Sequence, residues 1–349
     1  MTVRRVFAAM SGGVDSSIAA YLLKQEGYDV SGVHMVLTDG NTGILENNNS
    51  ALDEICRHLD LPLHKLDLRS EFENCVLHYF FSEYGAGRTP NPCVTCNRHI
   101  KFGYLLEWAL GKGADFLATG HYVRVELFDG LYHLLKGIDR GKDQSYFLYR
   151  LDQEQLSHVK FPIGTYEKPN VKRLAESLGL RIEHHSRDVC FIPDGDTPGF
   201  IARRTSFCPG DIVDTQGNVL GNHRGLGQYT IGQRQGLGVS AGERLYVLGL
   251  DVPNSRLVVG SRDELKADGA LINEITWVTG HPPENQENVT AKIRYRTPEI
   301  PVRLDISGDS ALVKFREPQF AVTPGQSLVL YRGDEVLGGG IIVGKTALN

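Results

Sequence analysis

Seven consecutive residues, Ser11-Gly12-Gly13-Val14-Asp15-Ser16-Ser17, have the types and order needed to hold a phosphate group. Two glycines let the backbone approach an anion with no Cβ in the way. Between a strand and a helix, the run turns the free N–H groups of the first helical turn, and the positive end of the helix dipole, toward that anion. Ser11, Ser16 and Ser17 add hydroxyl donors, and Asp15 can help hold a magnesium ion. The lysine of the G-x-x-x-x-G-K-[ST] loop is missing, so this is a different kind of phosphate loop. A second set of reactive groups is made of cysteine. Cys93 and Cys96 form a C-x-x-C pair, a spacing that points to metal or redox chemistry in a cytosolic protein. Cys56, Cys75 and Cys208 stand singly and are expected to be small buried hydrophobes.

These residues need a frame. Val6 to Met10 reads as a strand leading into the glycine turn, and a helical pattern follows over 14–26 until Gly27 stops it. Val30, Val33 and Val36 mark a second strand. Helical patterns over 51–59, 71–82 and 100–110 alternate with strand patterns over 63–68 and 115–119. Such alternation predicts an α/β domain with a parallel sheet and helices on both faces. Beyond about residue 200 the texture changes to short strands punctuated by glycine and proline, over 244–250, 256–259, 289–296, 311–316 and 326–331. That texture predicts a barrel or sandwich. The expected division is a catalytic domain at 1–200, a small central domain at 201–270 and a C-terminal β-barrel at 271–349.

Composition bounds the rest. A chain of 349 residues exceeds one ordinary core and implies two or three domains. Its 41% hydrophobic and 23% charged residues are those of a globular protein. No apolar run is long enough to span a bilayer, and the first residues lack the pattern of a signal peptide, so the expected location is the cytoplasm. A formal net charge of −5 argues against a general nucleic-acid coat protein. It leaves open a basic face for RNA.

The loop resembles that of the PP-loop ATP pyrophosphatases, which split ATP into an adenylated product and pyrophosphate. Further segments narrow the resemblance. They are Arg88-Thr89-Pro90-Asn91-Pro92-Cys93-Val94-Thr95-Cys96-Asn97, Thr119-Gly120-His121-Tyr122 and Gly141-Lys142-Asp143-Gln144-Ser145-Tyr146-Phe147. Asp188-Val189-Cys190-Phe191-Ile192-Pro193 and the stretch from Pro318 to Ser327 complete the set. In this order, over nearly the whole chain, they are similar to the tRNA-specific 2-thiouridylase family, which replaces the C2 oxygen of the anticodon wobble uridine by sulfur. The resemblance implies that ATP contacts Ala9, Met10, Ser11, Gly12, Gly13, Val14, Asp15, Ser16, Met35 and Gly120. It implies that tRNA contacts Asn91, Pro92, Cys93, His121, Lys142, Asp143, Gln144, Arg294, Tyr295 and Gln326. Cys190 would carry the sulfur as a persulfide, received from a cysteine desulfurase or sulfur-relay protein. Cys96 would release it, leaving a Cys96–Cys190 disulfide to be reduced. Both thiols would need a depressed pKa.

The sequence departs from the family pattern at Cys93, where many members carry an aspartate assigned to acid–base work. With Cys93, Cys96 and Cys190, three thiolates are on offer, and some sulfur-inserting relatives hold a [4Fe–4S] cluster on such a trio. Persulfide and cluster routes both stay open at this point. So do two other readings: a PP-loop amide ligase acting on a small molecule, and a non-catalytic tRNA-binding protein that keeps ATP as a structural ligand.

Overall fold

The computed structural model describes residues 3–38, 46–180, 189–192, 195–205, 207–239 and 244–346, with the backbone alone at 46–50. Asp188 and Pro193 of the family segment lie outside the described residues.

The chain opens with β1 (Arg5–Ala9), α1 (Val14–Gln25), β2 (Asp29–Val36), α2 (Glu46–His58) and β3 (Leu63–Asp67). Next come α3 (Arg69–Phe72) and α4 (His78–Gly85), joined by a wider i→i+5 turn at Glu73–Leu77. A longer helical rod follows: α5 (Pro92–Thr95), a second wide stretch at Cys96–Tyr104, and α6 (Leu105–Gly111). β4 (Phe116–Ala118), the hairpin β5 (Val123–Phe128) and β6 (Leu131–Lys136), α7 (Gln153–Ser157), β7 (Val159–Lys160) and α8 (Lys168–Ser177) complete the first domain. Its sheet has the order β3-β2-β1-β4-β7, all parallel. β1 lies at the centre, and Val6, Phe7 and Ala8 are buried on both faces. That is why it reads as a continuous apolar run instead of an alternating one.

After α9 (Thr197–Arg204), strands β8 (Gly210–Val213), β9 (Val219–His223), β10 (Tyr246–Asp251) and β11 (Arg256–Gly260) form a small sheet. It has its own core of Ile212, Val247, Leu257 and Val259. The last strands are β12 (Lys266–Trp277), β13 (Val289–Lys292), β14 (Ile300–Ser307), β15 (Ser310–Phe320), β16 (Ser327–Arg332) and β17 (Glu335–Thr346). They follow the order β12-β15-β14-β13-β16-β17, and pairing of β12 with β17 closes them into a six-stranded barrel. No helix among the described residues is long and apolar enough to cross a membrane.

Four details differ from the sequence reading. The helix expected at 100–110 begins at Pro92, so Cys93 and Cys96 sit in its opening turns. The strand expected over 289–296 ends at Lys292, and 293–297 form a turn closed by the Thr297 amide on the Arg294 carbonyl. β12 begins at Lys266, so the C-terminal barrel takes in residues that 201–270 would have given to the central domain. The β5–β6 hairpin was not expected at all. It leaves the first domain to extend the barrel sheet, pairing Leu135 with Glu335.

Candidate active site

α1 starts at the glycine turn with Gly13 as its N-cap, and no side chain caps it. Its first-turn amides, which have no partner within a helix, are thus left for a ligand. Gly12 has φ +78°, a conformation that favours glycine. The turn is braced from within. Ser16 Oγ donates to the Gly13 carbonyl at 2.9 Å and lies 3.2 Å from Ser11 Oγ. Ser17, expected to reach phosphate, is fully buried and donates instead to the Gly13 carbonyl at 3.0 Å. Ile18, Ala19, Ala20 and Leu23 seat the helix on the sheet. Gly27, at φ +86°, follows its C-cap as the sequence predicts.

The other ATP-site residues gather at the C-terminal edges of neighbouring strands. Ala9 ends β1, Met10 follows it and is buried, and Met35 sits half-buried near the end of β2. Gly120, just after β4, presses on the loop: a Cβ there would stand 2.7 Å from the Asp15 carbonyl carbon and 2.8 Å from the Ser16 nitrogen. Asp15 was expected to help hold magnesium. Instead its two carboxylate oxygens accept from Lys168 Nζ at 2.6 and 2.7 Å, and one accepts from the Tyr122 hydroxyl at 2.8 Å. As placed, this carboxylate is engaged by a cation and a hydroxyl. Lys168 was not singled out from sequence, and Tyr122 only as part of a family segment with no role of its own; a lysine opening a helix reads as a solvated end until its partner, 153 residues away, is known.

His121, expected at the mouth of the site, is buried instead. Its Nδ1 lies 2.6 Å from Thr119 Oγ1, and its ring packs near Phe102 and Phe161. Burial, aided by the Lys101 charge, holds its pKa well below the ordinary imidazole range. Cys96 is also buried, and its thiol is pushed up to about 12. The expectation of a depressed pKa fails here for a physical reason. Lys101 does favour the thiolate, but desolvation outweighs it, and charge on Cys93 or Cys190 would raise the value further. Those couplings bring the three cysteines into one neighbourhood. Cys190 is exposed, while Phe191 and Ile192 beside it are buried, Phe191 among Phe72, Phe80 and Phe200. The turn thus pins its backbone and presents its sulfur. No disulfide joins cysteines of the described residues. Cys56 is buried as expected, Cys75 is half-buried, and Cys208 is exposed. No group of three or more Cys, His, Asp or Glu among the described residues is arranged to hold a single metal ion.

The residues assigned to tRNA divide. Lys142 is exposed. Asp143 is buried and accepts from the Gly137 and Ser145 amides and the Ser145 hydroxyl, a turn-forming role. Gln144 accepts from the Tyr122 amide. Gln326 donates to the carbonyls of Thr89 (2.9 Å) and Pro90 (3.3 Å), while Asn91 and Pro92 behind them are buried. Arg294 is not on a strand; its guanidinium reaches inward to the carbonyls of Ile231 and Ala321 and to the Thr323 hydroxyl. Tyr295 packs against Phe147, with ring centroids 4.4 Å apart and the planes tilted by 42°.

The family profile described as "tRNA methyl transferase HUP domain" matches residues 4–194, more than half of the chain. A tRNA-specific 2-thiouridylase MnmA of Geobacter metallireducens is 45% identical over 97% of this chain and 96% of its own. This chain belongs to the tRNA-specific 2-thiouridylase family. A further member, from Magnetococcus marinus, is 43% identical over 97% of this chain and 99% of its own. Profiles described as a "tRNA methyl transferase PRC-barrel domain" and an "Aminomethyltransferase beta-barrel domain" match 198–261 and 267–342, in step with the two later sheets. Membership along the whole chain sets it among thiouridylases, apart from small-molecule amide ligases and non-catalytic RNA binders. The solved structure of a "U34-tRNA thiolase NcsA from Methanococcus maripaludis with its [4Fe-4S] cluster" aligns at 18% identity and TM-score 0.37, over 58% of this chain and 64% of that one. A likeness that weak does not bear on the cysteines.

Proposed function

We propose that the protein converts a tRNA uridine, at the wobble position of the anticodon, to 2-thiouridine at the expense of ATP. ATP, taken up as its magnesium complex, binds with its phosphates at the start of α1. The uridine O2 attacks the α-phosphate as the N3 proton is lost; pyrophosphate departs with the bonding electron pair, and O2 becomes part of a leaving group. The terminal sulfur of a Cys190 persulfide attacks C2, and AMP leaves. Cys96, as thiolate, then attacks Sγ of Cys190. The S–S bond breaks, its electrons stay with the sulfur on C2, and a Cys96–Cys190 disulfide remains for a dithiol reductant. The persulfide comes from a cysteine desulfurase or a sulfur-relay protein, and the reaction takes place in the cytoplasm. RNA meets Lys142 and its neighbours, with 1–200 catalytic and the barrel from about residue 266 shaping the RNA-facing side.

The observation that carries this reading is the pairing of an exposed, backbone-anchored Cys190 with a buried Cys96 in one neighbourhood. A sulfur carrier has to be reachable by its donor; a resolving thiol has to be kept from premature oxidation. The test supplies under-modified tRNA, ATP, magnesium and a persulfide donor, then measures 2-thiouridine by nucleoside mass spectrometry. The wild-type enzyme should form it with one AMP per sulfur. Cys190→Ser should abolish 2-thiouridine while tRNA-dependent ATP–pyrophosphate exchange continues. Thiolation by that variant at the wild-type rate would remove Cys190 from the reaction.

A further inference from the structure

A phosphate loop without a lysine has a charge problem. A triphosphate is strongly anionic, yet residues 9–16, 35 and 120 carry no positive charge and include the carboxylate of Asp15. Helix-dipole and amide donors offset only part of this, since a helix end acts as about half a charge. Among the described residues, a lysine sits at the loop. Lys168 Nζ sits 2.6 and 2.7 Å from the Asp15 oxygens, with its side chain 17% exposed. It is built into that place. Lys168 opens α8, whose Val171 and Ala175 pack in the same core as Ile18 and Ala19 of α1. Its backbone amide donates to Asp139 at 2.9 Å. Tyr122 donates its hydroxyl to the same carboxylate and gives Asp15 a second holding partner.

We propose that Lys168 is a catalytic residue that binds the β- and γ-phosphates of ATP, taking the part of the lysine that this loop lacks. Without nucleotide it is stored on Asp15. When ATP binds, the ammonium transfers to the more strongly anionic phosphate oxygens, a short swing for a four-carbon side chain, and Tyr122 keeps Asp15 in place. As the bond from Pα to the bridging oxygen of the β-phosphate breaks, the electron pair passes to pyrophosphate, and Lys168 holds the charge that grows there. The inference rests on the adenylation reading of this same site.

The experiment compares ATP and AMP binding to the full chain by calorimetry for wild type, Lys168→Gln and Lys168→Arg. Loss of a hydrogen bond to a charged group should weaken ATP binding about 10- to 100-fold in Lys168→Gln. AMP, which has no β- or γ-phosphate, should bind as before, and Lys168→Arg should recover most of the ATP affinity. AMP formation with tRNA should show a lower kcat for Lys168→Gln even at saturating ATP. Equal weakening of both nucleotides, or of neither, overturns the proposal, because a lysine that only braces the fold cannot tell ATP from AMP. The two readings fail separately. If wild type makes no AMP with tRNA, the adenylation reading falls; if wild type does and Lys168→Gln binds ATP and turns it over equally well, only the lysine's role falls.

Discussion

The two sulfurs that the proposed reaction brings together occupy opposite surroundings, and that contrast can be measured. Cys96 is 7% exposed, with its thiol near pKa 12, whereas Cys190 is exposed. Only the thiolate is alkylated, so Cys190 should be modified by iodoacetamide at pH 8 at least about tenfold faster than Cys96, as read by peptide mass spectrometry. For Cys96 the sign follows from burial, which favours the neutral thiol. Its rate should keep rising with pH beyond 9, where a thiol of ordinary pKa levels off. Adding ATP and tRNA should speed Cys96 alkylation if the reaction exposes it; an equal, fast rate for both thiols in the free enzyme would contradict the burial. At this scale the sequence revealed residue types better than their states. Ser11-Gly12-Gly13 announced a phosphate loop through steric needs that are local. The pKa of Cys96 depends on Lys101 and on a core assembled from distant segments, which spacing does not disclose.

The element that carries Cys93 and Cys96 depends on the barrel for its entry. Thr89 N donates to the Pro324 carbonyl at 2.9 Å, Gln326 Nε2 reaches the Thr89 and Pro90 carbonyls, and the Tyr146 hydroxyl donates to the Ser327 carbonyl. Gly325 lets these strands of chain approach. It has φ +90°, and a Cβ would lie 2.9 Å from both the nitrogen and the oxygen of Thr89. Gly325→Ala should therefore displace 88–90 and misalign the start of α5. Sulfur transfer should fall about 10- to 100-fold, the scale of loss that an ångström of misplacement produces, while ATP–pyrophosphate exchange, which does not use the cysteines, changes little. Parallel loss of both activities in a folded variant would mean that the barrel supports the whole domain and not this helix in particular. The parallel sheet was legible because strand and helix patterns alternate with short turns. The helix start at Pro92 was not, since Cys93 to Lys101 is mostly polar and its contacts come from residues distant in sequence, such as the Phe147 carbonyl on Asn97. The Arg294 strand failed for a related reason: alternation over three residues is too short to outweigh the turn that Thr297 closes.

Across the whole molecule, the three units are joined by half-buried polar ties, and Arg294 is the clearest. One guanidinium bonds to Ile231 in the central domain and to Ala321 and Thr323 in the barrel, while Gly232 packs so closely on Ala321 that a Cβ would stand 2.8 Å from its Cβ. Burial lowers its pKa. The hairpin adds a second tie, with Arg124 on Asp334 and Lys136 on the Gly333 carbonyl. If Arg294 is a tie, Arg294→Ala takes the side-chain partner from the Ile231 carbonyl, at about 1–3 kcal/mol, and loosens the central sheet from the barrel, while the Ala321 carbonyl keeps the Thr323 hydroxyl. Hydrogen exchange should then accelerate around 226–239 and 321–323, with the salt dependence of tRNA affinity unchanged. Lys142→Ala is the counterpart on the exposed surface. If Lys142 neutralises one phosphate, the slope of log affinity against log salt should shrink by about one, with no change in exchange at 226–239. Should Arg294→Ala flatten the salt slope and leave exchange untouched, the half-buried arginine would be a phosphate contact after all, and the three units would have to be held together by the hairpin and the 321–326 loop.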